Sequence, residues 1–162
     1  MPIKSLDDLF IHFLKDIYYA ENKVAKELPK MAKKATAKKL KTSFTNHEKE
    51  TMAQIDILKH VFKLIDVKPE SVKCKAIEGI IAETNHIISE TKDDATRDVA
   101  LIACAQAVEH YEINRYGTLI TYAQQLGHKD AVDLLRENLQ QEAKADRHLS
   151  ELAGGGINKK AT

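Results

Sequence analysis

Apolar residues recur every three or four positions along almost the whole chain, and nowhere do they alternate over a strand-length run. Leu6, Phe10, Phe13, Ile17, Ala20 with Glu21, Val24, Leu28 and Met31 form one stripe. It predicts a helix over 6–34, with Ser5 and Asp7 as caps and Asp8 in the first turn. Pro29 is expected to kink that helix or end it early, because it removes one backbone hydrogen bond. The lysine-rich stretch 33–39 reads as a turn, with Thr36 as a cap. A second stripe follows through Leu40, Phe44, His47, Thr51, Ile55, Leu58, Phe62 and Ile65, with Glu50 and Gln54 beside it. Pro69 marks the plainest break. A shorter helix is expected over 71–91 on Ile77, Ile80, Ile81, Thr84, Ile87 and Ile88. Asp93-Asp94-Ala95-Thr96 opens a fourth helix that runs to the stop signal Leu126-Gly127. Its stripe reads Val99, Ile102, Gln106, Glu109, Ile113, Tyr116 and Ile120. The fifth, over 128–153, carries Ala131, Leu135, Leu139, Glu142, Ala145, Leu149 and Leu152.

Four helices of about 25–30 residues and one shorter helix in a long connection predict an all-α, four-helix bundle with a crossover. One domain is expected over 5–153, with 154–162 after Gly154-Gly155-Gly156 as a flexible tail. A weak internal repeat relates the first helix pair to the last, each offering a core glutamate on both of its members.

Those glutamates are the anomaly. Glu21, Glu50, Glu109 with Glu112, and Glu142 sit in or beside apolar stripes near the middles of long helices. Antiparallel neighbours bring their midpoints to one level, so the carboxylates should converge. A buried carboxylate without a partner is expensive, and several together require protons or cations. Divalent iron or manganese is the natural counter-charge for such oxygen ligands. Each glutamate singly reads better as a stripe-edge residue that reaches solvent or pairs with lysine; the joint pattern favours metal. His47, one turn before Glu50, reads equally as a ligand, an orienting partner or a core histidine. Glu78, on the short helix, could reach the site, cap a neighbour or lie at a dimer contact.

Composition narrows the field. The 162 residues are 43% apolar and 30% charged, with a formal net charge of +1, so no global charge favours nucleic acid or an anionic membrane. No apolar run is long enough to span a bilayer, and residues 1–8 do not resemble a signal peptide, so a cytoplasmic location is expected. Cys74 and Cys104 lack metal-type spacing and read as small buried side chains rather than a disulfide. The lysines at 23, 26, 30, 33, 34, 38, 39 and 41 offer a Dps-like, DNA-protecting reading, although such a run is more often a solvated helix face. A metal-free structural or adaptor bundle is the other alternative. No nucleophile elbow, phosphate loop or zinc signature is present.

The order Glu, then Glu-x-x-x-Gln, then a crossover, then Glu-x-x-Glu, then Glu-x-x-x-Asp resembles the ferritin-like superfamily. Tyr18-Tyr19-Ala20-Glu21, His47-Glu48-Lys49-Glu50-Thr51 with Gln54, Ala76-Ile77-Glu78-Gly79, Ala105 to Glu112, and Glu142 with Asp146 resemble, more closely, the YciE/YciF-type bacterial stress proteins. That resemblance covers nearly all of 5–153. It implies a ferritin-like bundle, a homodimer, and two metal ions, Fe or Mn, held by Glu21, Glu50, Glu109, Glu112, Glu142, Gln54 and Asp146. It further implies redox work on a small oxidant such as peroxide or oxygen, or oxidation of ferrous ion. By analogy, Glu109 and Glu112 serve one side of the metal pair and Glu21 the other, with Glu50 and Glu142 bridging or capping. The sequence departs from the ferritin-like pattern where histidine usually follows the glutamates of the second and last bundle helices. Alanine stands at 53 and 145, followed by Gln54 and Asp146. A nitrogen-poor site tilts the expected metal toward manganese or weakly held iron.

Overall fold

The computed structural model describes residues 3–162; Met1 and Pro2, at the head of the stretch read above for a signal peptide, lie outside them. The elements are α1 (Leu6–Lys34), α2 (Lys38–Leu64), α3 (Lys75–Glu90), α4 (Asp94–Leu126) and α5 (Lys129–Leu152). No strand occurs among the described residues. Ser5 Oγ accepts from the Asp8 amide, so Ser5 caps α1. Pro29 does not end the helix, which continues to Lys34. Gly127 closes α4 in the left-handed conformation at φ 80°, a backbone state that glycine adopts without strain.

Short links make α1–α2 and α4–α5 antiparallel pairs. α1 packs on α2 and α4, and α5 packs on α4 and α2. Asp98 near the start of α4 bonds to the α1–α2 link, which places the starts of α2 and α4 at one end of the bundle. These two helices are therefore parallel, and the connection between them must travel back along the molecule. α3 makes that return, lying against α4 and α1. It begins four residues later than its apolar pattern suggests. The Val72 amide donates to the Lys15 carbonyl, which holds the preceding segment extended along α1, and the Cys74 sulfur caps the Ile77 amide.

Thr36 is not the side-chain cap of α2. The cap position is Ala37, which makes no side-chain bond. Asp98 caps the helix from across the bundle: its carboxylate accepts from the Thr36 amide at 2.7 Å, the Thr36 hydroxyl at 2.6 Å and the Ala37 amide at 2.7 Å. It is buried and faces the positive end of a helix dipole. Replacing Asp98 by alanine orphans two amides and a hydroxyl, so a loss of roughly 2–4 kcal/mol is expected. Denaturant unfolding of that variant checks it, and a midpoint unchanged from wild type would show that the cap carries no weight.

Beyond α5 the helical path runs on into the glycines, breaks at Gly156, whose φ is 121°, and closes with a short helical turn over Asn158–Ala161. Ile157 packs against the core. The buried face of α4 is wider than its expected line. Of that line Ile102, Glu109, Tyr116 and Ile120 are buried and Val99, Gln106 and Ile113 half-buried, while Leu101, Ala105, Glu112 and Leu119 beside it are buried too, because α4 is covered on a second side by α3. Cys74 and Cys104 are buried and free.

Candidate metal centre

Midway along the bundle the apolar core is interrupted by a polar layer. α1 contributes Glu21, α2 His47, Thr51 and Gln54, α4 Glu109, Glu112 and Tyr116, and α5 Asn138 and Glu142; all nine are buried. α1 supplies one such residue, and α2, α4 and α5 supply theirs one turn apart, each on a stripe that is otherwise largely apolar. Leu14, Ile17, Leu58, Leu119 and Leu135 flank the layer on one side and Leu28, Phe44, Leu101 and Leu149 on the other, all buried.

The ligand-type atoms fall into two overlapping triads, His47–Glu109–Glu142 and Glu21–Glu112–Glu142, in each of which they lie within 4.8 Å of one another. Glu142 belongs to both. The expected partition, with Glu109 and Glu112 on one side and Glu21 on the other, is therefore replaced by Glu109 with His47 and Glu112 with Glu21. His47 Nδ1 is 3.1 Å from a Glu109 oxygen, and its Nε2 is 3.4 Å from Glu142 Oε2 without the alignment of a hydrogen bond.

The surrounding polar side chains orient the acids. Tyr116 donates its hydroxyl to Glu21, and Asn138 Nδ2 donates to the same hydroxyl at 3.0 Å. Gln54 donates to Glu142. Both oxygens of Glu112, and one each of Glu21, Glu109 and Glu142, have no hydrogen-bond partner. Such buried orphans are rare in folded proteins and point to an unseen counter-ion or proton.

Electrostatics agree. Burial, the charge of Glu142 and that of Glu109 push the Glu21 carboxyl well above its ordinary range, against the Tyr116 hydrogen bond and the charge of His47. Burial and the charges of Glu21, Glu142 and Glu109 do the same to Glu112. Burial lifts Glu109 to about 8 even against the opposing charge of His47. For His47 burial acts downward, but Glu109 and Glu142 outweigh it and hold the imidazole well above its ordinary value. Burial likewise opposes ionisation of Glu142, yet His47, Glu109 and Gln54 keep its carboxyl below the usual range.

The structure thus brings together Glu21, Glu109, Glu112, Glu142 and Gln54. Glu50 is not among them. It is half-buried on the α2–α5 side, where it lines a separate cavity. At about 100° per residue, Glu50 points roughly 60° away from His47, whereas Thr51 and Gln54 stay within about 40° of it. Asp146 also stands apart, accepting from Gln106 Nε2 at 3.0 Å and lying 3.2 Å from His110 Nε2 at the α4–α5 rim. Glu78 does not reach the centre. Lys23 at 2.8 Å and the Tyr19 hydroxyl hold its carboxyl down at about 2, and the contact pins α3 to α1. Tyr111 points away from the centre, donating to Asp16, which Arg115 also approaches at 3.3 Å. Asn138 and the Tyr116 hydroxyl were not singled out from sequence. The available signal was Asn138 standing one turn before Glu142 on the same buried face.

Opposite the Glu50 cavity, a small apolar cavity of about 30 Å³ lies between α1, α3 and α4 and ends at Glu109. Its walls include Val24, Leu28, Met31, Ile81, Ile88 and Val108.

Fold and centre together define a helical bundle protein with a buried carboxylate–histidine centre. The chain belongs to the DUF892 family, a domain of unknown function, whose match spans residues 5–162 and so includes the segment after α5. It is 44% identical over 162 residues to protein YciF of Escherichia coli K12, covering 99% of this chain and 98% of that protein. The crystal structure of the E. coli stress protein YciF superposes with a TM-score of 0.92 at 43% identity, covering 97% of this chain and 99% of that one. YcfI of Rhodopseudomonas palustris gives a TM-score of 0.90 at 47% identity over 91% of this chain and 94% of that one. A protein of Xanthomonas campestris pv. campestris shares the fold, with a TM-score of 0.72 at 19% identity, over 98% of this chain and 100% of that one.

Proposed function

We propose that this YciF homologue holds two iron or manganese ions in the paired triads and uses them for redox work on peroxide or dioxygen, or to oxidise ferrous ion. The observation that carries the reading is the set of partnerless carboxylate oxygens around Glu142, which both triads share. The donor set fits. Carboxylates with a single imidazole suit iron or manganese better than a thiolate-seeking metal. Bound ions would supply the electrons for the reaction and polarise the oxidant. The chain supplies the rest. Glu142 joins the two positions, Gln54 fixes its orientation, and Tyr116 with Asn138 fixes Glu21. Burial excludes bulk water. Protons held by His47 and the raised glutamates leave when cations arrive, so loading releases acid. A second copy of the chain is the partner proposed with this reading.

One observation favours a metal-free structural bundle instead: His47, when protonated, bridges Glu109 and Glu142 and meets part of their charge. The DNA-protecting reading is weaker, since Lys23 is engaged by Glu78 and Lys30 by Glu27. Elemental analysis of tag-free protein after loading with ferrous or manganous ion decides. About two ions per chain are expected for a paired carboxylate site. No stoichiometric metal under either condition would leave the structural reading.

A further inference from the structure

Glu50 lies outside the carboxylate cluster, but it lines a cavity that shares His47 with that cluster. A cavity of about 200 Å³ opens between α2 and α5, and Asn46, His47, Glu50, Lys144, Ala145 and His148 are among its walls. That volume holds several water molecules, enough to admit a cation with much of its hydration. His47 is its inner wall: the side chain is only 7% exposed, and its Nε2 has no hydrogen-bond partner. The same imidazole lies against Glu109 and Glu142, so one residue belongs to both cavity and centre. Glu50 stands one turn from His47 on α2 and is half-buried in this wall. His148 is exposed at 51%, and Lys144, exposed, supplies the opposing charge on this side. The cavity lined by Glu109 is a poor alternative, since its walls are mainly apolar, Lys30 and Lys34 stand beside Glu27 in its lining, and about 30 Å³ holds little of an ion's water.

We propose that the α2–α5 cavity is the port by which hydrated divalent cations reach the buried centre, with Glu50 receiving the ion and His47 passing it inward. Glu50 is then a positioning residue for loading and not a ligand of the final pair. This rests on the metal reading of the centre.

The test is stopped-flow uptake of cobaltous ion by metal-free, full-length protein, read by its visible absorption and by final stoichiometry. Glu50→Gln is expected to load about 10-fold more slowly, the scale of a lost electrostatic attraction in a cleft, and to reach the wild-type stoichiometry. Ala145→Leu, which narrows the cavity, should also load slowly. Ala105→Val, in the wall of the apolar cavity, should load at the wild-type rate. Wild-type rates for both Glu50→Gln and Ala145→Leu overturn the port, as does slow loading by Ala105→Val alone. Reduced stoichiometry in Glu50→Gln also overturns it, making Glu50 a ligand. If Ala145→Leu does not fold, the Glu50→Gln rate decides. Failure of the wild type to take up any cobalt instead sinks the metal reading itself, and the port with it.

Discussion

Replacing Glu142 by alanine should empty both metal positions at once. Glu142 is the one acid common to the two triads, so its loss leaves His47 with Glu109 on one side and Glu21 with Glu112 on the other. Neither pair closes around an ion. Affinity at both positions should fall by at least ~100-fold, the upper end of what losing even an outer-shell partner costs a metal site. The bundle should survive, because its apolar layers on either side of the centre are untouched and because the charge of Glu142 is among the influences that raise Glu21 and Glu112. Helical circular dichroism and cooperative melting check the fold, and elemental analysis checks the metal. Glu112→Gln provides the contrast: it touches one triad, so about one ion per chain should remain of an expected pair. A Glu142→Ala protein that still holds a full complement would show that the two triads are not joined through this residue.

Metal-free and metal-loaded protein should respond to pH with opposite signs. In the metal-free form, Glu21 and Glu112 are raised well above the ordinary carboxyl value and Glu109 to about 8. Between about 4.5 and 8 the folded chain therefore binds more protons than the unfolded chain, and stability falls as pH rises. His47 acts in the same direction. Its folded value is raised, so its contribution is full below about 6.5 and is lost as pH climbs through the higher folded value. Glu142, lowered, adds no slope in this window, since its contribution is lost only as pH falls below its ordinary value of about 4.5. One pK unit is about 1.4 kcal/mol, which in a chain of this size moves Tm by roughly 3–6 °C. With several groups moving together, Tm of the metal-free protein should drop by at least ~5 °C from pH 5 to pH 8. Ions in the centre replace those protons, so the loaded protein should instead lose stability as pH falls and protons compete for the ligands. Parallel melting curves across that range check both signs. A metal-free protein that is steadier at pH 8 than at pH 5 would contradict the crowding of acids in the core.

The helices and their order were legible because apolar spacing is a local signal and these stripes are long. The centre was legible at Glu21, Glu109, Glu112 and Glu142, where a carboxylate stands on a stripe line. The ambiguity at α2 was angular. Glu50 and Gln54 flank the line on the same side, and only the exact facing of α2 toward α5 decides that Gln54 enters and Glu50 stops at the wall. Asp146 follows Glu142 by one turn, yet Gln106 and His110 of α4 capture it at the rim. Those partners are 40 and 36 residues away in sequence, beyond any local pattern. The same holds for Asp98, whose capping of the α1–α2 link spans 62 residues. Periodicity also took α4 for a helix with one buried side, whereas packing by α3 gives it two.

The crossover helix has a consequence for how dry the centre stays. Ile77 and Ile88 are the buried residues of α3, and its attachment to α1 includes the partly exposed contacts of Glu78 with Lys23 and the Tyr19 hydroxyl. Such an element opens at a lower free energy than the four helices that share the main core. Behind it lies the apolar cavity that ends at Glu109. When α3 lifts, that cavity becomes bulk solvent, and the local dielectric around the His47–Glu109 pair rises toward that of water. The low-dielectric character of the centre is thus set on this face by α3, an element outside the four-helix bundle, so the seating of the connection bears directly on the affinity of the acids for protons and ions.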